Sequence, residues 1–462
     1  MNERSARERA RDFKQVNVGY TSEQAKTEAR RCLQCKKPAC IEGCPVEIDI
    51  PAFIKEIAQN DPRKAIEILK DKNNLPAVCG RVCPQEEQCE KNCVLAAKKN
   101  AVAIGNLERF AADWEKDNPA AARVTVREKQ HGRIAVIGSG PAGLTCAGDL
   151  TRAGFDVTIF ESLHEAGGVL RYGIPQFRLP GEVLDYELEN LKKLGVTITL
   201  NSLIGRTKTI ADLFHEGFRA VFIGTGAGLP GFLNIPGENL NHIYSANEFL
   251  VRVNLMRAFE FPAYDTPIYI GKEVAVIGGG NTAMDAARTA LRLDARSVTL
   301  LYRRSREELP ARAEEARHAE EEGVAFEFLA NPVRFFADEK GCCVRGIECV
   351  KMELGEPDVT GRRRPKVIEG SNFTMAADMV VEAIGLKPNP VLPSLTEGLR
   401  TDAAGHLVID EHFMTTIPAV FAGGDIVGGD TVIQAMGMGK RAARSIVTYL
   451  SNTPPIPWGR TP

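Results

Sequence analysis

Two stretches of this sequence share one pattern, and between them they dictate most of the fold. In the first, Arg133-Ile134-Ala135-Val136-Ile137 reads as a buried strand running into Gly138-Ser139-Gly140-Pro141-Ala142-Gly143, a helix over 144–150 and a strand over 156–160 that ends at Glu161. In the second, Glu273-Val274-Ala275-Val276-Ile277 runs into Gly278-Gly279-Gly280-Asn281-Thr282-Ala283, a helix over 284–291 and a strand over 297–302 that ends at Arg303-Arg304. Strand, glycine turn, helix and second strand, in that order, predict a parallel βαβ unit. Its glycines let the backbone approach a pyrophosphate, which then rests at the positive end of the helix. A lone glycine turn would say little; the ordered parts carry the argument. An α/β chain with two Rossmann-like dinucleotide-binding folds is expected.

The closing residues choose the ligands. Glu161 can accept both ribose hydroxyls, whereas a carboxylate would repel a 2′-phosphate and the guanidiniums of Arg303 and Arg304 can pair with one. The plainer alternative for the two arginines is a solvated charged turn. FAD in the first fold and NADP(H) in the second, set to exchange a hydride, is the economical reading. The C-terminal part fits it: Val420-Phe421-Ala422-Gly423-Gly424-Asp425 reads as strand, glycines and acid, and Thr431-Val432-Ile433-Gln434 opens a helix. Asp425 could hold a flavin ribityl chain, with the helix N-terminus near the flavin ring carbonyl. Val221-Phe222-Ile223-Gly224-Thr225-Gly226 and Val380-Val381-Glu382-Ala383-Ile384-Gly385 bracket the second fold, which is therefore an insertion in the first.

Eight of the twelve cysteines fall between Cys32 and Cys93. They form two groups, Cys32-x2-Cys35-x4-Cys40-x3-Cys44 and Cys79-x3-Cys83-x5-Cys89-x3-Cys93, separated by a stretch over 51–69 that reads as helix. Disulfide frameworks belong to small secreted domains. Structural zinc sites usually come as CxxC pairs, of which one occurs here. Iron–sulfur clusters suit the thiolates and the Cys44-Pro45 and Cys83-Pro84 steps better. The gaps are not the simple ferredoxin ones, so a late cysteine of one group is expected to complete the cluster begun by the other. Beyond Cys93 there is no Cys-x-x-Cys, Cys342 and Cys343 are adjacent and make a poor redox pair, and Cys146 reads as packed core. A self-contained disulfide reductase is therefore disfavoured.

A length of 462 residues allows about three domains. The expected boundaries are a helical iron–sulfur domain over 1–125, a first FAD part over 126–245, an NADPH part over 246–385 and a second FAD part over 386–462, with linker composition from Asp117 to Ala122. A net charge of −2 gives no basic stripe for nucleic acid. No apolar run approaches the roughly 18 residues of a membrane span, and the charged start is unlike a signal peptide. A cytoplasmic location is expected, without nucleic-acid or membrane partners. With seven scattered histidines no hydrolytic constellation is indicated.

Taken together, these residues resemble the glutamate synthase small (beta) subunit family over the whole length. The features that carry the resemblance are the cysteine region with Ala77-Val78-Cys79-Gly80-Arg81-Val82-Cys83-Pro84, both fingerprints, Gly167-Gly168-Val169-Leu170-Arg171-Tyr172-Gly173-Ile174-Pro175, Tyr302-Arg303-Arg304 and Ala422-Gly423-Gly424-Asp425. The family includes the large subunit of electron-bifurcating NADH-dependent reduced ferredoxin:NADP oxidoreductase, and its N-terminal module also occurs in dihydropyrimidine dehydrogenase. The segment from Lys37 to Pro51 looks closer to the bifurcating subunit, and to its relatives in anaerobes named glutamate synthase, than to the classical aerobic small subunit. The resemblance implies an α-helical domain with two [4Fe–4S] clusters ahead of the FAD and NADPH folds. One cluster would sit on Cys32, Cys35, Cys40 and Cys93, the other on Cys44, Cys83, Cys89 and Glu108, with Cys79 a bystander. For Glu108 the bland alternative is a surface glutamate on a helix. The resemblance also implies FAD contacts from Gly138, Gly140, Pro141, Ala142, Gly143, Glu161, Gly168, Arg171, Gly424, Asp425, Thr431, Val432 and Gln434. NADP(H) would meet Gly278, Gly280, Asn281, Thr282, Ala283, Arg303 and Arg304. Hydride would pass between NADPH and FAD with no general acid or base, and single electrons would run through the clusters to or from a partner. That partner is a glutamine-amidotransferase-type large chain or a small ferredoxin-reductase-like flavoprotein, with ferredoxin a further candidate. Rival readings are a stand-alone NADPH:ferredoxin-type reductase and a non-catalytic zinc scaffold.

Overall fold

The computed structural model describes residues 2–119, 131–358 and 361–452. The boundary expected at 125/126 and residues 120–122 of the linker lie outside the described residues. An arm over 2–19 leads into helices α1 (Ser22–Ala29), α2 (Ile50–Ala58), α3 (Pro62–Lys72), α4 (Pro76–Val82) and α5 (Ile104–Asp117). The single helix expected over 51–69 is two. Asn60 takes a left-handed φ of +67°, Asp61 accepts from the Lys64 N–H as an N-cap, and Pro62 lacks the N–H that would continue α2. Phe53, Ile57, Leu69, Val78 and Leu107 are buried where these helices meet. At about 1.5–3 kcal/mol per large apolar side chain, that burial holds together a domain whose one sheet is the two-stranded pair of Asn2–Glu3 with Asn17–Gly19 among the described residues.

The chain then builds β1 (Arg133–Ile137), α6 (Pro141–Arg152), β2 (Asp156–Phe160), β3 (Thr197–Thr199) and β4 (Phe218–Ile223). It crosses out through Ala227–Pro230 into a second unit: β5 (Ile243–Ser245), β6 (Glu273–Ile277), α7 (Asn281–Arg292), β7 (Ser297–Tyr302), α8 (Ala313–Glu322) and β8 (Ala325–Phe328). An antiparallel layer follows, β9 (Ala330–Ala337), β10 (Val344–Pro357), β11 (Arg363–Val367) and β12 (Phe373–Ala376). Then β13 (Met379–Glu382) rejoins the second sheet, and Leu386–Pro388 crosses back antiparallel to the outgoing strand. The chain ends with β14 (Val420–Ala422) and α9 (Val432–Asn452).

Two parallel sheets result, in the orders β14-β4-β1-β2-β3 and β8-β7-β6-β13-β5. Their central strands are covered on both faces, which is why 134–137 and 274–277 are continuous apolar runs rather than alternating ones. Because Ile243–Ser245 pairs with β13, the outgoing crossing lies ahead of the boundary expected at 245/246. Among the described residues no helix is long and apolar enough to cross a membrane.

Candidate functional site: two glycine cradles and two cysteine cavities

The two glycine turns are built alike. Gly138 and Gly278 take φ of +97° and +139°, a region that favours glycine, and each turns its strand toward a helix. A Cβ on Gly143 would stand 2.0 Å from the Gly138 carbonyl oxygen, so α6 closes on β1 only as glycine. By contrast, a Cβ on Gly140 would meet nothing nearer than 4.0 Å, and one on Gly280 nothing within 4 Å. At the N-termini of α6 and α7, where amides have no partner inside the helix, space is left open. That is the arrangement a pyrophosphate requires.

Glu161 is buried at the end of β2, and its carboxylate accepts from the Ser139 N–H at 2.9 Å, the Ser139 hydroxyl at 2.5 Å and the Leu163 N–H at 2.9 Å. Gly168, at φ +55°, packs against the same turn, where a Cβ would lie 2.8 Å from the Gly140 Cα. Arg171 is engaged by Glu165 at 3.0 Å and by Asp185, while its neighbours Val169, Tyr172 and Gly173 face the cleft described next. Ala142 and Ala283 are buried beneath their helix starts. Gly424 takes φ +86°, and Gln434 is exposed, accepting from the Asp430 N–H.

A cleft of about 860 Å³ runs between the two sheets. Pro141, Asp425, Thr431 and Val432 line it from the first fold, and Gly278, Gly280, Asn281, Thr282, Arg303 and Arg304 from the second. Burial, and then Asp430, push the Asp425 carboxyl up to about 6. The two arginines differ. Arg304 is buried, 3.1 Å from Asp358 and donating to the Arg363 carbonyl, whereas Arg303 is exposed and has no ion-pair partner among the described residues. Arg362, on the same hairpin as Asp358, also lines the cleft; nothing local in the sequence pointed to it. Val82 and Pro84, whose segment was marked in sequence for its cysteines and not for a dinucleotide, bring the helical domain to the cleft.

The cysteines divide into two cavities. Cys32, Cys35, Cys40 and Cys93 line one; Cys44, Cys79, Cys83, Cys89 and Glu108 line the other, and Ile50 and Ile104 border both. Cys93, from the second sequence group, thus joins the first. A zinc ion with four thiolates brings them about 3.8 Å apart, given Zn–S bonds of about 2.3 Å. No three of these eight thiols lie mutually within 4.8 Å. Burial raises the thiols of Cys40 and Cys44 to about 11, so a bound cation must supply the charge that favours thiolate. Glu108 is buried rather than on the surface, accepts from Asn73 at 2.7 Å, and is pushed up to about 8 by burial. Cys79 shares its cavity, with Sγ 3.5 Å from the Met436 sulfur. No ligand is present in the structure; the donor sets and open glycine cradles fit two clusters and two dinucleotides.

Folds, cradles and thiol sets together define an NADPH-dependent flavoprotein oxidoreductase that carries an iron–sulfur domain. Residues 9–120 match the family described as dihydropyrimidine dehydrogenase domain II, 4Fe-4S cluster, and residues 132–439 match pyridine nucleotide-disulphide oxidoreductase. The chain belongs to the family of the NADPH glutamate synthase small chain. It is 38% identical over 457 residues to that chain from Halomonas elongata, covering 96% of this chain and 95% of the relative. It is 41% identical over 436 residues to the NADP(+)-dependent formate dehydrogenase subunit beta of Moorella thermoacetica, covering 89% and 60% respectively. Mycobacterium tuberculosis FprA in complex with NADPH shares the fold of the dinucleotide part, with a TM-score of 0.59 at 20% identity over 70% of this chain and 85% of that one.

Proposed function

We propose that this chain is the NADP(H) end of a two-subunit glutamate synthase, carrying electrons from NADPH to a glutamine-amidotransferase-type large chain. The observation that carries the reading is the position of Val82-Cys83-Pro84. Val82 and Pro84 line the dinucleotide cleft while Cys83 lines the inner cysteine cavity, and Ile433 of α9 borders that cavity one residue beyond Val432 in the cleft. Bound flavin exchanges a hydride with nicotinamide and releases electrons singly, and iron–sulfur clusters conduct them. The chain's own residues do the positioning. Arg303 recognises a 2′-phosphate, the Gly138 and Gly278 turns hold the pyrophosphates, and Asp425 faces the ribityl chain. Cys44, Cys83, Cys89 and Glu108 hold the inner cluster, and Cys32, Cys35, Cys40 and Cys93 the outer one. The outer cavity opens beside Leu33 and Val94, which are 59% and 57% exposed and offer a partner an apolar landing. The match to the glutamate synthase small chain over 457 residues supports this partner.

An anaerobic native pull-down from the source cells, with mass spectrometry and metal analysis, tests the proposal. A large glutamine-handling chain with about eight irons and eight sulfides per copy is expected. A small ferredoxin-reductase-like chain would make this half of a bifurcating transhydrogenase instead. Recovery alone would point to a stand-alone reductase, and zinc without sulfide would overturn the electron path.

A further inference from the structure

We propose that Glu382 recognises the carboxamide of the nicotinamide ring, an inference that rests on the NADP(H) reading of the second fold and deepens it. Glu382 is the last residue of β13. Its register partner is Ile277, the last residue of β6, and the following Ala383 N–H donates to the Ile277 carbonyl. It therefore stands beside the Gly278 turn at the carboxyl ends of the strands. From β6 the chain goes by α7 to β7 on one side, while β13 lies on the other. The crevice between β6 and β13 is the switch point at which parallel sheets bind ligands. With the pyrophosphate on the Gly278 turn, the adenosine half runs toward β7 and Arg303, so the nicotinamide half runs toward β13 and Glu382.

The residue is unfinished where it stands. Glu382 is 3% exposed, and its Oε1 has no hydrogen-bond partner. Buried carboxyl oxygens are rarely left so, because the lost hydration goes uncompensated. Glu382 borders two spaces, the main cleft, whose lining Ala383, Ile384 and Gly385 continue, and a side chamber of about 270 Å³ shared with Glu238, Tyr244 and Glu248. Glu238 is fixed there by the N–H groups of Leu233, Asn234 and Ile235. Burial, then the nearby Glu238, push Glu382 up to about 8, so at neutral pH it holds a proton. A protonated carboxyl that donates to Glu238 keeps its other oxygen purely as an acceptor. A carboxamide offers that oxygen the N–H it lacks. In sequence Glu382 falls in a segment read only as bracketing the second fold, and its neighbour Glu238 comes from a distant loop.

The test is equilibrium binding to the flavin- and cluster-loaded chain, followed by calorimetry with three ligands: NADP+, its 3-acetylpyridine analogue, which has no amide N–H, and 2′,5′-ADP, which has no nicotinamide. The unaltered chain is expected to bind NADP+ about tenfold more tightly than the analogue, the value of one good hydrogen bond. Glu382→Ala should bind the two dinucleotides alike and leave 2′,5′-ADP unchanged. Glu382→Gln, which can donate to Glu238 and still present a carbonyl oxygen, should keep the preference. If Glu382→Ala still prefers NADP+, or weakens all three ligands equally, the inference is wrong while the NADP(H) reading stands. If the unaltered chain fails to bind 2′,5′-ADP, the NADP(H) reading falls and takes the inference with it.

Discussion

Arg303 and Arg304 are neighbours in sequence with opposite surroundings. A guanidinium already bonded to Asp358 and the Arg363 carbonyl, as in Arg304, has fewer free donors for a phosphate than the exposed Arg303. Arg303→Ala is accordingly expected to weaken NADPH by roughly 10- to 100-fold, the range for a charged hydrogen bond, with NADH unaffected. Arg304→Ala should first lower the melting temperature, because it unties β7 from the β10–β11 hairpin. Steady-state kinetics with both coenzymes, beside thermal melts, separates the two. Equal losses of NADPH affinity at unchanged stability would show that both arginines bind the phosphate. The sequence told that a cation closes β7, from its place after the strand. It did not tell which of the two was free, because the partner acid arrives from a hairpin more than fifty residues on.

Helix α9 shows what one element adds that no motif records. Its start, with Thr431 and Val432, faces the dinucleotide cleft, while Ile433 and Met436 face the inner cysteine cavity and Cys79. Gly437 lets the helical domain dock: a Cβ there would lie 2.6 Å from the Pro45 carbonyl oxygen, next to Cys44. Gly437→Ala should push that backbone away, at about 1–3 kcal/mol of overpacking. NADPH-driven reduction of ferricyanide, a small acceptor, is expected to persist, while electron delivery to the protein partner falls several-fold. If both fall together, the contact is merely structural. The beginning of this helix was readable from its flavin-side motif, as were both βαβ units, because each is a local pattern of strand, glycine and helix. Three features were not. The break at Asn60-Asp61-Pro62 was overridden in the reading by flanking apolar residues of helical spacing. The antiparallel layer over 330–376 pairs neighbouring strands and the arm over 2–19 pairs its own two ends, but neither carries the ordered strand, glycine turn and helix that made the βαβ units legible.

At the scale of the molecule, the arm, the first fold and the second are joined by one buried ion network. Arg178, from the first fold, lies 2.5 Å from Asp285 and 3.1 Å from Glu315 of the second; Arg288 and Arg292 reach Glu322 at 2.8 and 2.7 Å, and Arg9 of the arm reaches it at 3.0 Å. Phe177 lies beneath the guanidiniums of Arg288 and Arg292, at 4.7 and 3.9 Å. A rotation of one dinucleotide fold against the other would separate desolvated charges, so the network fixes the cleft's geometry. Taking away one partner of such a set costs far more than the set adds in net stability, because the remaining ions stay buried. Glu315→Gln is therefore expected to destabilise the chain by about 3–5 kcal/mol in denaturant melts. The pH dependence follows with a definite sign. Burial alone would raise the two carboxyls, but Arg178 and Arg288 beside Glu315, and Arg288 and Arg292 bonded to Glu322, hold both down to about 2. Their folded-state values lie below the ordinary 4.5, so the stability they confer is complete above that pH and is lost as the pH falls from there through 2. Glu315→Gln should be less stable than the parent at pH 7 and lose less on acidification between 4.5 and 2. Parallel melts that show the same acid slope for both proteins would mean that Glu315 does not couple the two folds.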